Sequence, residues 1–167
     1  YGYLITVLSW DWKNLSSLET TTMKHKTQSP GGGQQMPRIL VIDDDASLRE
    51  TMRIVLHTSF RVTTVPSVDT AIEELGHCLP DGIIMDLSMP IKDGLQGLRE
   101  IRPLHPSLPI IMLTGYADSQ TSQQALELGA SEIMRKPFDL VELITRISEM
   151  TEAAQTAQAK QDSVAAV

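Results

Sequence analysis

Five side chains that could bind a metal ion or a phosphate group each lie at the end of a short apolar run of the sequence. They are Asp43, Asp44, Asp86, Thr114 and Lys136. Carboxylate oxygens are the ligands that Mg²⁺ prefers, and a carboxylate attacks a phosphoryl group poorly until a cation cancels the like charge. A hydroxyl and an ammonium group could then hold the phosphoryl oxygens. These residue types predict an acidic, magnesium-binding pocket around one aspartate that can be phosphorylated.

The acidic residues fall into two groups along the chain. Asp43, Asp44 and Asp45 are adjacent, and repulsion among neighbouring carboxylates is usually relieved by a bound cation. We expect Asp43 and Asp44 to bind metal and Asp45 to cap the helix that follows. Asp86 ends an apolar run, where an unpaired carboxylate is costly, so we expect it to be functional.

Short β-branched, apolar runs alternate with longer stretches that have helical spacing of apolar residues. This alternation predicts βαβ units, and therefore an α/β fold with five parallel strands and five helices. The carboxyl ends of parallel strands meet at one edge of the sheet, where ligands bind. Strands are predicted at residues 38–42, 60–65, 81–85, 108–113 and 131–134, and helices at residues 48–56, 67–76, 93–102, 118–128 and 138 to about 150.

The sequence predicts one domain with a segment on either side. Residues 36–150 form the domain in this interpretation. Residues 1–35 are expected to be a disordered extension or a cloning leftover, because residues 29–35 are rich in glycine and directly precede Met36. Residues 151–167 are rich in alanine and glutamine and lack an apolar stripe, so they are expected to form a flexible tail.

Composition argues against several classes of function. The 167 residues carry a formal net charge of -7, which disfavours direct binding of nucleic acid. No stretch reaches the roughly 18 apolar residues that a membrane span needs. The single cysteine, Cys78, cannot form an internal disulfide, which fits a reducing compartment. We therefore expect a cytoplasmic protein without a membrane segment.

Residues 37–150 resemble the receiver domain of two-component response regulators. The resemblance depends on an ordered set of motifs, namely the acidic pair after the first strand, Asp-x-x-Met-Pro at 86–90 with Asp-Gly at 93–94, Leu-Thr-Gly at 113–115 and Lys-Pro-Phe at 136–138. Such a resemblance implies a doubly wound, flavodoxin-like receiver fold with strand order 2-1-3-4-5.

The resemblance also implies a function for the acidic residues. By position, Asp86 would accept a phosphoryl group from a phosphohistidine of a sensor histidine kinase or a histidine phosphotransfer protein. Asp43, Asp44 and Asp86, with the backbone carbonyl of Ser88, would bind Mg²⁺. The chain would then be a signalling phosphoacceptor that catalyses its own phosphorylation and dephosphorylation, and not an enzyme for other substrates.

Further positions would complete and regulate the site. Thr114 would hydrogen-bond the phosphoryl group and Lys136 would form an ion pair with it. Ser88 and Tyr116 occupy positions that tune the lifetime of the acyl phosphate in such domains. Receivers usually carry Tyr or Phe three residues before the lysine, where this chain has Ile133. Aliphatic packing or loop shifts must therefore replace the movement of an aromatic ring.

The sequence leaves two alternatives open. The chain is interpreted as a stand-alone receiver, monomeric or dimeric upon phosphorylation, that acts on an unknown downstream protein; it could instead be a fragment of a larger regulator or hybrid kinase. A Mg²⁺-dependent phosphatase of the haloacid dehalogenase type would use Asp43 as nucleophile and Asp45 as general acid. That alternative leaves Asp86 and the following Met89 and Pro90 unexplained.

Overall fold

The computed structural model describes residues 36–115 and 119–165. In these residues, five parallel strands form one sheet with the order β2-β1-β3-β4-β5. The predicted α/β class and strand order are therefore confirmed. The strands are β1 (Arg38–Ile42), β2 (Arg61–Val65), β3 (Gly82–Asp86), β4 (Ile110–Thr114) and β5 (Glu132–Arg135).

Five helices connect and follow the strands within the described part of the chain. They are α1 (Ala46–Leu56), α2 (Val68–His77), α3 (Gly94–Ile101), α4 (Ser119–Glu127) and α5 (Leu140–Ala165). The Asp45 side chain accepts hydrogen bonds from the backbone N–H groups of Ser47 and Leu48, which confirms its predicted role as a cap. Ser67 caps α2 in the same way, through the N–H of Thr70. Both caps satisfy N–H groups that have no partner inside the helix.

Two apolar clusters lie on opposite faces of the sheet. Alternate side chains of β3 point into each cluster: Ile83 and Met85 belong to one, and Ile84 belongs to the other. Every residue of β3 and β4 is buried, as expected for central strands covered by helices on both faces. This burial holds the carboxyl ends of the strands in a fixed arrangement.

Two glycines near helix ends behave differently. Gly129, after α4, has a φ of +97°, the left-handed conformation in which helices commonly end. The prediction that Gly76 ends α2 is wrong, because the helix continues to His77. The N–H of Cys78 still donates to the carbonyl of Glu74, so the helical hydrogen-bonding pattern runs past the glycine.

The last helix is longer than predicted. The sequence predicts a flexible tail at residues 151–167, but α5 continues to Ala165. Thr151 is fully buried, and the Gln155 side-chain amide donates a 3.0 Å hydrogen bond to Asp81. Alanine and glutamine are good helix formers, so a helix anchored by these contacts needs no further apolar stripe to continue.

The predictions for residues 1–35, Tyr116 and Asp118 fall outside the described residues. Within residues 36–115 and 119–165, none of the helices has both the length and the apolar character that crossing a bilayer requires.

Candidate functional site

Four of the predicted site residues come from the carboxyl ends of neighbouring strands. Asp43 directly follows β1, Asp86 ends β3, Thr114 ends β4 and Lys136 directly follows β5. The strand order places β1, β3, β4 and β5 side by side, so these ends converge. β2, which ends without such a residue, lies at the edge of the sheet.

Three carboxylates meet at the carboxyl ends of the central strands. Oxygen atoms of Asp43, Asp44 and Asp86 lie within 4.8 Å of one another. Asp43 and Asp86 are only 2% and 5% exposed, whereas Asp44 is exposed. A compact set of oxygen donors with one side open to water suits Mg²⁺, which keeps some of its waters when it binds to proteins.

Lys136 pairs with both buried carboxylates. Its Nζ atom lies 2.8 Å from Asp86 Oδ1 and 3.0 Å from Asp43 Oδ2. The peptide bond between Lys136 and Pro137 is cis. When all are ionised, the three carboxylates and the ammonium group leave two negative charges, which is the charge that one Mg²⁺ ion cancels. The residues of the site therefore fit this ion in both donor type and charge.

Two groups of the site have shifted pKa values. Burial raises the pKa of Asp43 above its ordinary value, although hydrogen bonds from Lys136 and the Asp45 N–H oppose this change. Burial by itself lowers the pKa of Lys136, but hydrogen bonds to Asp86 and Asp43 outweigh that effect, so the pKa is raised. Both directions mean that these two groups hold their protons more tightly than free side chains do.

Thr114 presents a hydroxyl group that lacks a partner. The residue is fully buried, and its Oγ1 atom has no hydrogen-bond partner among the residues that the structure describes. The backbone carbonyl of Thr114 accepts a 2.7 Å hydrogen bond from the N–H of Lys136, which joins the ends of β4 and β5. A buried hydroxyl without a partner is costly, so an acceptor that came within its reach would gain a hydrogen bond.

Arg49 supports the loop that carries the first acidic residues, although it is not among the predicted site residues. Its Nη1 atom donates a 2.6 Å hydrogen bond to the backbone carbonyl of Asp43. The guanidinium group therefore fixes the loop from the first turns of α1. Its position four residues after the cap Asp45, one helical turn into α1, could have indicated a side chain directed back towards the loop.

The start of α3 approaches Asp86 very closely. A Cβ atom built on Gly94 would lie 2.5 Å from the carbonyl oxygen of Asp86, so a larger residue there would displace the strand end. The N–H of Ser88 lies 3.3 Å from Asp86 Oδ2 and donates to it. The role of the Ser88 carbonyl as a metal ligand stays a prediction.

Ile133 lies beside the site on β5. It is partly buried against one apolar cluster and lines a surface cavity of about 500 Å³ together with Thr114 and Leu126. An aliphatic side chain thus lies at the position where receivers usually carry an aromatic ring. Tyr116 lies outside the described residues.

Residues 39–148 match the family model of the response regulator receiver domain, and the chain belongs to this family. It is a receiver module of the two-component type. This match argues against the haloacid dehalogenase type of phosphatase. That alternative needs Asp45 as general acid, but the Asp45 side chain caps α1.

Longer regulators and single receivers are both similar to this chain. The transcriptional regulatory protein KdpE of Staphylococcus aureus is 36% identical over 122 residues, which cover 72% of this chain and 52% of that protein. The DNA-binding transcriptional regulator NtrC of Escherichia coli is 33% identical over 110 residues, which cover 65% of this chain and 24% of that protein. The chain thus spans about half of KdpE and a quarter of NtrC.

Among solved structures, a response regulator receiver domain protein of Clostridium thermocellum is 28% identical with a TM-score of 0.69. The matched region covers 72% of this chain and 98% of that chain.

Proposed function

We propose that Asp86 accepts a phosphoryl group from a phosphohistidine, with Mg²⁺ held by Asp43, Asp44, Asp86 and the carbonyl of Ser88. The observation that carries this proposal is the double contact of Lys136 with Asp86 and Asp43, at 2.8 and 3.0 Å. This double contact supports the proposal because it holds a cation beside the carboxylate that would attack phosphorus, where its positive charge can compensate the charge of the transferred group.

The transfer requires an ionised Asp86. A carboxylate oxygen of Asp86 attacks phosphorus while the bond between phosphorus and the donor imidazole breaks, and the imidazole leaves with the electron pair. An acyl phosphate remains on Asp86. Mg²⁺, when bound, supplies positive charge against the phosphoryl oxygens. Lys136 stays charged through the reaction because its contacts with Asp86 and Asp43 raise its pKa.

Thr114 responds to the new group. Its hydroxyl lacks a partner among the described residues, so a phosphoryl oxygen on the neighbouring strand end gives it a hydrogen-bond acceptor. Movement of Thr114 towards that oxygen changes the wall of the cavity that it shares with Ile133. The signal is then read through aliphatic packing at β5 and α4.

The partners follow from the family and from the charge of the chain. The phosphoryl donor is a sensor histidine kinase or a histidine phosphotransfer protein, and the output is contact with another protein. The formal net charge of -7 disfavours direct binding to the negatively charged backbone of nucleic acids. We place the module in the cytoplasm, as a monomer or as a dimer formed upon phosphorylation. It acts as a signalling phosphoacceptor and not as an enzyme for other substrates, either alone or as a piece of a larger regulator.

Labelling with acetyl phosphate tests the acceptor directly. The wild-type chain with Mg²⁺ should gain one phosphoryl group that hydroxylamine removes, and Asp86→Asn should gain none. Asp81→Asn is the matched control, because Asp81 lies before β3 at the opposite edge of the sheet and should not affect labelling. Labelling that survives Asp86→Asn but is lost in Asp43→Asn would contradict the proposal.

A further inference from the structure

An isoleucine in an unfavourable backbone conformation lies in the loop between β3 and α3. Ile91 has a φ of +69°, and it is the one non-glycine residue with positive φ within residues 36–115 and 119–165. Left-handed backbone is a genuine outlier for a β-branched residue. The residue is also 98% exposed, so no burial in the folded chain offsets this strain. Asparagine or glycine would satisfy the backbone better, and folding alone gives no reason for isoleucine.

Contacts on both sides hold the loop in this conformation. Met89 is buried on one side of Ile91. On the other side, Lys92 forms ion pairs with Asp69 of α2 and Glu100 of α3, at 2.6 and 3.0 Å. A strained backbone persists where its surroundings determine it in this way, and such sites are frequently functional. The loop therefore presents the Ile91 side chain to solvent in a fixed direction.

The loop begins directly after Asp86, and it closes through a 2.9 Å hydrogen bond from the N–H of Gly94 to the carbonyl of Leu87. The backbone of Gly94 lies against Asp86, since a Cβ atom on Gly94 would be 2.5 Å from the Asp86 carbonyl oxygen. Ile91 is three residues before Gly94, which limits their separation to about 11 Å even for extended backbone. A protein that binds with a contact patch of about 800 Å², centred on Asp86, reaches roughly 16 Å in every direction. A protein donor that brings its histidine to Asp86 thus covers this loop.

We propose that Ile91 is a contact residue for the protein that donates the phosphoryl group, and that it packs against an apolar position beside the donor histidine. This inference depends on the proposed function of Asp86. The donor is the partner expected here, because transfer chemistry requires it to approach Asp86, whereas a downstream target can bind elsewhere. A small donor such as acetyl phosphate needs no such contact.

The test compares protein and small-molecule donors on the full 167-residue chain. The protein donors are all histidine kinases of the source organism, autophosphorylated with ATP, and the one that labels the wild type fastest is used further. Ile91→Asn should lower the rate constant of transfer from this kinase about tenfold. Labelling by acetyl phosphate should remain unchanged. The melting temperature should rise by about 2–5 °C, because asparagine tolerates positive φ.

Leu104→Asn is the matched control, since Leu104 is 66% exposed but precedes β4, at the edge of the sheet opposite Asp86. It should transfer at the wild-type rate. The inference is overturned if Ile91→Asn accepts phosphate from the kinase normally, if Leu104→Asn is equally slow, or if Ile91→Asn lowers the melting temperature. It is also overturned if no kinase labels the wild type. Failure of acetyl phosphate to label Asp86 in the wild type would instead contradict the proposed function.

Discussion

Lys136 reaches Asp86 across the end of an intervening strand. Lys136 directly follows β5 and Asp86 ends β3. Both strands pair with β4 and not with each other, yet Nζ and Oδ1 lie 2.8 Å apart. Thr114 ends β4 between them and has a buried hydroxyl group. The Asp86 carboxylate and the Lys136 ammonium group therefore meet beside the end of β4, where Thr114 lies.

Replacing Lys136 by methionine should weaken the site in two ways. Asp43 and Asp86 lose a cation that contacts both, so the Mg²⁺-free protein should lose about 1–3 kcal/mol of stability in urea unfolding. Labelling by acetyl phosphate should fall at least about tenfold, because the charge on the transferred group is no longer compensated.

Lys92→Met is the control for this change, because Lys92 also bridges two acidic side chains but lies outside the site. It should retain labelling by acetyl phosphate. Equal loss of labelling in both variants would show that Lys136 has no special role.

Replacing Thr114 by valine should stabilise the unphosphorylated protein. Valine has the shape of threonine but removes a buried hydroxyl that has no partner in the described residues, so the free energy of unfolding should rise by about 1 kcal/mol. Beryllofluoride with Mg²⁺ should still bind at Asp86, but the amide shifts near Ile133 should be much smaller than in the wild type.

Thr114→Ser keeps the hydroxyl and should retain these shifts in NMR spectra. Wild-type shifts in the valine variant would mean that the hydroxyl does not transmit the signal.

Mg²⁺ binding should weaken as the pH falls. Burial raises the pKa of Asp43, so a proton competes with the metal at a higher pH than for an ordinary aspartate. One proton competing with one ion lowers the apparent affinity by up to about tenfold for each pH unit below that pKa. Calorimetric titration with MgCl₂ between roughly pH 5 and pH 7.5 measures this dependence.

The same raised pKa has a consequence for stability without metal. A carboxyl group whose pKa is higher in the folded state favours folding at low pH, and this contribution is lost as the pH rises through the folded-state value. Mg²⁺ should restore it, and Asp44→Asn should abolish most of the stabilisation by Mg²⁺. An affinity independent of pH would show that Asp43 is not a ligand.

Arg102 should be important for stability although it lies away from the site. Its guanidinium group donates hydrogen bonds to the carbonyls of His105, Pro106 and Leu108 before β4 and to the carbonyl of Gly129 after α4. Burial lowers its pKa, but these carbonyls still solvate the charge. Arg102→Met leaves them without this donor and should cost about 2–3 kcal/mol in urea unfolding.

Arg53→Met provides the comparison, since Arg53 forms an exposed ion pair with Glu50 and its removal should have little effect. Arg102→Lys should fall between the two, because lysine keeps the charge but not the planar fork of donors. Similar stability of the Arg102 and Arg53 methionine variants would contradict this role.

The sequence by itself determined the order of elements and the position of the chemistry along the chain. Continuous apolar runs and stripes with helical spacing reflect which side chains must be buried, and this pattern is local in the sequence. For this reason the strands of the sheet lie within two residues of their predicted bounds. The caps Asp45 and Ser67 were predictable because their hydrogen bonds join residues close in sequence.

Only the tertiary structure decided which groups touch. Three contacts of the site depend on strand pairing and on the direction of side chains. They are the contact of Lys136 with both Asp43 and Asp86, the hydrogen bond from Arg49 to the Asp43 carbonyl, and the closeness of Gly94 to Asp86. The length of α5 was likewise set by contacts, since Thr151 and Gln155 are held by residues near the start of β3. A contact between residues far apart in the chain depends on where the whole fold places them, and no local pattern of the sequence determines this.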